Sequence, residues 1–182
     1  MNRKKVLICD LCIAAFALGL DQIVKMLIRR NLDTGESVSL IPGWLELYHH
    51  ENTGATWGML KGQTLFFIII AVVVSAALIV LLLRIPAEKK YVRMHISVSL
   101  ILAGALGNTI DRIAKGSVTD FISAVIIHFP IFNVADIFIV CATIWLIIMI
   151  LFIYKDDDLD FLNPGRNKEK RKKGSSDAEE EK

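Results

Sequence analysis

The segment TLFFIIIAVVVSAALIVLLL, residues Thr64–Leu83, decides the fold of this chain. It runs for 20 residues without a charged side chain. A hydrocarbon layer about 30 Å thick is crossed by about 20 helical residues. Because backbone polar groups find no water inside a bilayer, such a segment must be helical. The stretch therefore predicts a transmembrane helix.

Three other apolar stretches of similar length predict three more spans, at about residues 6–28, 94–113 and 134–154. With 54% hydrophobic residues among 182, the expected fold class is membrane all-α with four transmembrane helices. A soluble globular enzyme and a secreted disulfide scaffold are excluded. The first span follows basic residues, as in a signal peptide, but Asp10 interrupts it and three spans follow. We therefore expect it to be an uncleaved span.

Lys and Arg are unevenly distributed among the segments that join the spans. The N-terminal residues, the connection 84–93 and the region from Lys155 onward hold 15 of the 21 basic residues. The connections 29–63 and 112–133 hold far fewer. The positive-inside rule then predicts that both termini are cytoplasmic and that these two connections lie outside.

The outside segment 29–63 has a pattern of its own. Hydrophobic and polar residues alternate over Trp44–His49, after a turn signal at Pro42-Gly43, which predicts short strands. Residues 155–182 are charged and contain Gly and Ser, so we expect a disordered cytoplasmic tail. The membrane domain is accordingly assigned to residues 1–154.

Ionisable residues in or beside the spans are the candidates for function, because charges are costly in a bilayer. With the topology above, the two carboxylates Asp120 and Asp136 approach the outer surface from different segments. Two close carboxylates tend to share one proton, so one can activate water while the other polarises a carbonyl. This chemistry needs no metal and no cofactor, and none is expected. Further polar candidates at the same level are Asp21, Lys25, Asn52, Asn108, Asp111, Arg112 and Asn133.

Several of these candidates also have a purely structural interpretation. Asp21 and Lys25 suit an i, i+4 helix pair. Asn133 suits a helix cap with Asp136 in the first turn. The pair Asp111-Arg112 suits a helix-end anchor, and Asp120 suits an ordinary loop carboxylate. For the whole chain, the alternatives are a small proton-coupled membrane transporter and a non-enzymatic membrane scaffold.

Five sequence blocks, in order along the chain, resemble bacterial lipoprotein signal peptidase, also called signal peptidase II. Each block alone is a weak signal, but five in order on one side of four spans are specific. The blocks are Asp21–Lys25 (DQIVK), Glu51–Ala55 (ENTGA), Gly104–Arg112 (GALGNTIDR), Val118–Phe121 (VTDF) and Phe132–Asp136 (FNVAD).

The resemblance implies an aspartic endopeptidase of the bacterial cytoplasmic membrane, with its active site near the extracytoplasmic face. It would cleave diacylglyceryl-modified prolipoproteins just before the lipidated Cys, with Asp120 and Asp136 as the catalytic pair. Asp136 is expected to be the ionised member. The other polar candidates and Gly54 would bind substrate or organise the site.

The resemblance also implies a small extracytoplasmic β-like cradle and a mobile helix over the site, both supplied by residues 30–63. The expected partners are membrane lipid and inhibitors of the globomycin class. No nucleic acid is expected, and we expect a monomer.

Overall fold

The computed structural model describes residues 1–54, 62–127 and 129–162. Its four long helices are α1 (Arg3–Asn31), α2 (Thr64–Arg84), α3 (Val92–Lys115) and α4 (Val134–Ile148). Helix α4 continues as a π-helix over Met149–Ile153. By length and composition, four helical segments could cross a membrane, as predicted. Their outward faces carry large apolar side chains, as lipid-facing surfaces do: Phe16 is 74% exposed.

The helix boundaries follow from local chemistry. Helix α1 begins at Asn2, whose side chain accepts a hydrogen bond from the backbone N–H of Lys4. Helix α3 ends at Gly116, which adopts the left-handed conformation at φ 78° that favours glycine. Helix α4 begins with a capping box formed by Asn133 and Asp136. The helices therefore extend a few residues beyond several of the predicted spans.

Helix α3 is the central helix and packs against the other three. Two glycines on α3 permit this close packing. A Cβ atom at Gly104 would lie 2.6 Å from the carbonyl oxygen of Ala135, and one at Gly107 would lie 2.6 Å from Oδ2 of Asp21. Small residues let membrane helices approach closely, so α1 and α4 can both bring polar groups to α3.

A three-stranded antiparallel sheet has the strand order β1-β2-β3. Its strands are β1 (Ser37–Ile41), β2 (Leu45–Asn52) and β3 (Val118–Ala124). The predicted strand at Trp44–His49 is confirmed as part of β2. The expectation that residues 30–63 supply the cradle is confirmed for β1 and β2, whereas β3 comes from the connection between α3 and α4. The sequence pattern did not predict β3, because the first residues of this strand are all buried and do not alternate between buried and exposed positions.

Residues just beyond α4 form a further short helix. Asp156–Leu162 form a short 3-10 helix, which we call the C-terminal segment. Its Leu159 and Phe161 pack on the apolar cluster around Tyr91. The disorder expected from residue 155 onward stays a prediction, although these two partly buried side chains give this segment a contact with the bundle. Residues 163–182, for which disorder was also expected, lie outside the described residues.

Candidate active site

Asp120 lies on β3 and is buried. Its carboxylate accepts a hydrogen bond from Nδ2 of Asn52 at 2.8 Å and one from Nδ2 of Asn133 at 2.6 Å. Asn52 reaches it from the neighbouring strand β2, where His50 pairs with Asp120 in the register. Asp120 is thus a strand residue held from two sides, and the alternative of an ordinary loop carboxylate is wrong.

Asp136 lies in the first turn of α4. One carboxylate oxygen accepts the backbone N–H of Asn133 at 3.1 Å, and the other accepts Nδ2 of Asn108 at 2.9 Å. The backbone N–H of Asp136 donates in return to the side chain of Asn133 at 3.1 Å. The capping interpretation of Asn133 and Asp136 is therefore correct, and it does not exclude a catalytic role.

Asn133 joins the two carboxylates, because its side chain contacts Asp120 and its backbone contacts Asp136. Burial raises the pKa of Asp120 to about 7. The hydrogen bond from Asn52 opposes this rise in pKa, and the charge of Asp136 adds to it. Near neutral pH the Asp120 carboxyl therefore exchanges a proton readily, as a general acid or base must.

Lys25 is connected to this pair of carboxylates through Asn108. It is fully buried, and its Nζ lies 2.9 Å from Asp21 and 3.1 Å from Asp111. Nζ also donates to Oδ1 of Asn108 at 2.8 Å. This contact orients the amide of Asn108 so that its Nδ2 faces Asp136. Asp21 and Lys25 are thus the predicted helix pair, but Asp111 on α3 extends the pair into a buried ion cluster.

Asp21 also positions the start of α4. Its Oδ1 accepts the backbone N–H of Ala135 at 2.9 Å. That N–H belongs to the first turn of a helix, where donors lack partners within the helix itself. Gln22 bridges Asp21 to the carbonyl oxygen of Gly107 on α3. Helix α1 thereby fixes the helix end that carries Asp136.

The side chain of Arg112 forms no hydrogen bond or ion pair with the adjacent Asp111. Its guanidinium instead donates to the carbonyl oxygens of Asn108 at 3.4 Å and Gly54 at 3.3 Å. The backbone N–H of Gly54 donates in turn to Oδ1 of Asn52 at 2.9 Å. Arg112 therefore connects the end of β2 to α3, with its positive charge close to both catalytic candidates.

All ten candidate residues thus belong to one network of hydrogen bonds and ion pairs. The mobile helix expected over the site within residues 30–63 is not among the elements of the described part of that segment. Residues 55–61 of that segment lie outside the described residues.

A polar cluster centred on Glu51, which is joined to this network through Asp111, was not predicted from the sequence. Glu51 accepts hydrogen bonds from the hydroxyls of Ser117 at 2.5 Å and Thr119 at 2.9 Å. His49 and Lys115 lie 3.0 and 3.7 Å from the same carboxylate. Burial acts to raise the pKa of Glu51, but these hydrogen bonds prevail and lower it. Glu51 thus holds β2 and β3 together beside Asp120; its position next to Asn52 was the available signal.

Comparison with known proteins shows which family the chain belongs to. A family model described as signal peptidase (SPase) II matches residues 13–152, which include all ten site residues. The lipoprotein signal peptidase of Enterococcus faecalis strain V583 is 41% identical over 163 residues, covering 90% of this chain and 97% of that protein. The corresponding protein of Brevibacillus brevis is 42% identical over 144 residues, covering 79% and 93%.

Two solved structures are similar in fold to this chain. One bacterial membrane enzyme, solved by the in meso method at 2.3 Å resolution, superposes with a TM-score of 0.68 at 38% identity and covers 79% of this chain and 87% of its own. A second, at 1.9 Å resolution, has a TM-score of 0.67 at 36% identity and covers 81% and 94%. The ordered motifs, the four apolar helices and these matches together place the chain in the signal peptidase II family.

Proposed function

We propose that the protein is an aspartic endopeptidase that removes signal peptides from diacylglyceryl-modified prolipoproteins. It cleaves just before the lipidated Cys and uses Asp120 and Asp136 to activate water. The observation that carries the proposal is the junction at Asn133, which holds one carboxylate with its side chain and the other with its backbone. Family membership supplies the substrate class.

The chemistry follows from the different surroundings of the two carboxylates. Asp136 sits in the first turn of α4, where the helix dipole favours the ionised form. Asp120, whose pKa is raised to about 7, holds the shared proton at rest. The ionised member takes a proton from the attacking water, and the protonated member donates to the scissile carbonyl oxygen. Because the two carboxylates are coupled, their two apparent pKa values describe the pair as a unit.

Substrate binding is assigned to the bilayer and to the neighbours of the pair. The diacylglyceryl group stays in the membrane while the apolar signal segment spans it, and this holds the scissile bond in place before the reaction. Arg112 is suited to bind a substrate carbonyl, since its charge lies near the pair. Inhibitors of the globomycin class would compete for the same space, and a monomer suffices for this mechanism.

The positive-inside rule supports placing both termini in the cytoplasm. Arg3 lies at the end of the bundle where α2 ends, because it donates to the carbonyl oxygens of Leu82 and Ile85. The candidate site lies at the opposite end, beside the last turns of α1 and α3. We therefore propose a bacterial cytoplasmic-membrane enzyme whose active site is near the extracytoplasmic face.

The test is cleavage of a purified diacylglyceryl-modified prolipoprotein by the protein in detergent, followed by gel shift. Asp120→Asn and Asp136→Asn should each reduce the rate by at least about a hundredfold, since each removes one member of an acid–base pair. The matched control is Asp33→Asn, which changes an exposed carboxylate in the turn after α1. It should leave the rate unchanged.

Near-normal cleavage by either Asp120→Asn or Asp136→Asn would refute the aspartic mechanism. If the folded parent never cuts the lipidated precursor, the peptidase proposal fails, and proton-coupled transport assays come next. The unlipidated precursor is the substrate control. We expect little cleavage of it, because it lacks the group that anchors the scissile bond at the membrane.

A further inference from the structure

A cavity of about 390 Å³ opens between the start of α3 and the π-helix that ends α4. Its volume falls within the range of about 300–1,000 Å³ that is common for ligand pockets. Its lining combines three basic residues from the start of α3 and the turn before it with apolar and aromatic residues from the end of α4. The lining residues are Lys89, Lys90, Arg93, Met149, Ile153 and Tyr154.

This cavity is separate from the candidate active site. Arg93 and Asn108 lie on the same helix, 15 residues apart, which corresponds to about 22 Å along the axis. The cavity therefore opens at the end of the bundle where α1 begins and α2 ends. Whichever way the chain is inserted, that end meets a membrane surface.

The basic side of the cavity is exposed to solvent. Lys90 already has a partner, because its Nζ lies 2.6 Å from the carboxylate of Asp158 in the C-terminal segment. Lys89 and Arg93 form no ion pair within residues 1–54, 62–127 and 129–162. Their two charges make the cavity attractive to an anion.

The other wall continues into surface that faces the hydrocarbon layer. Ile153 is 47% exposed, and the adjacent Phe152 is 80% exposed. Tyr154 stacks on Tyr91 with ring centroids 5.6 Å apart, and aromatic side chains of this kind are enriched where a membrane meets water. A ligand that spans both walls must carry an anionic head and an apolar tail.

We propose that this cavity binds the headgroup of an anionic phospholipid, with the phosphate at Lys89 and Arg93 and the acyl chains along Ile153 and Phe152. Basic pockets between membrane helices favour anionic headgroups for this reason. The bound lipid links the start of α3 to the end of α4.

The test is native mass spectrometry of the full-length protein in detergent, titrated with phosphatidylglycerol, with phosphatidylcholine and, separately, with inorganic phosphate. Lys89→Gln combined with Arg93→Gln should weaken phosphatidylglycerol binding about thirtyfold, since each basic residue near an anionic surface contributes about a factor of five. The matched control is Lys4→Gln combined with Lys5→Gln. It removes two exposed charges at the same end but outside the cavity.

The proposal is supported if phosphatidylglycerol binds in preference to phosphatidylcholine and only the cavity variant loses it. Equal loss in both variants would indicate diffuse attraction and would overturn the proposal, as would equal binding of the two lipids. Inorganic phosphate binding as tightly as the lipid would assign the site to a free anion instead. Thermal unfolding without lipid verifies that both variants fold. No step depends on peptidase activity, so this test is independent of the proposed function.

Discussion

Replacing Lys25 with Met would remove a fully buried cation from between two buried carboxylates. Nζ of Lys25 lies 2.9 Å from Asp21 and 3.1 Å from Asp111, and neither carboxylate is more than 2% exposed. Met preserves most of the side-chain length but carries no charge and donates no hydrogen bond. Both carboxylates would then remain buried without their shared partner, and Asn108 would lose the donor that orients it.

The loss of stability caused by Lys25→Met can be worked out from these contacts. Removing one partner of a buried ion pair destabilises a protein by about 3–5 kcal/mol. We expect the lower end of this range, because Arg29 and Lys115 each lie 3.7 Å from Asp111 and still compensate part of its charge. For a chain of this size, 1 kcal/mol lowers Tm by about 2–4 °C, so about 3 kcal/mol lowers Tm by about 6–12 °C.

The assay is thermal unfolding in detergent, followed by circular dichroism. Lys5→Met is the matched control, because it makes the same change on the same helix at an exposed position. It should leave Tm almost unchanged. Combining Lys25→Met with Asp21→Asn should recover part of the loss, since Asn keeps an acceptor for the N–H of Ala135 without an uncompensated charge. Equal Tm values for Lys25→Met and Lys5→Met would refute the argument from buried charge.

Two further predictions follow from the site. Gly107→Ala should lower the free energy of unfolding by about 1–3 kcal/mol, because its Cβ would lie 2.6 Å from the Asp21 carboxylate. The control is Gly19→Ala, since a Cβ there would have nothing within 4 Å. Equal Tm values for the two variants would contradict the prediction. Cleavage by the parent should fall as pH rises through about 7, where Asp120 loses its proton. Asn52→Ala removes a hydrogen bond that lowers this pKa, so the fall should move to higher pH; a pH–rate profile shifted to lower pH would contradict this.

Much of the fold could be predicted from the sequence because a bilayer permits so few solutions. A stretch such as Thr64–Leu83 has to be a helix, and the number of such stretches predicts the number of spans. The helix start at Asn133 was also predictable, since capping depends on residues three apart. Strand β3 was not, because its pairing with β2 joins residues that lie about 70 positions apart in the chain.

The candidate site, like the fold, could be predicted from the sequence only in part. The residue types in the five motif blocks predicted ten candidate residues, and the structure brings all ten into one network. Their partners could not be predicted: Arg112 binds the carbonyl oxygen of Gly54 rather than Asp111, and Glu51 organises the strands beside Asp120. Such contacts depend on which helix faces approach one another, and small residues such as Gly107 permit that approach without specifying its partner.

Contiguous stretches of the sequence were enough to predict a membrane protein with four long apolar helices and the motifs of its family. The reason is that hydrophobic length and local motifs are properties of contiguous residues. Only the tertiary structure decided that one asparagine, Asn133, holds Asp120 and Asp136 together, and that Lys25 is buried between Asp21 and Asp111. Those contacts exist because α1, α3, α4 and the sheet converge at one end of the bundle, and such convergence depends on packing between distant segments.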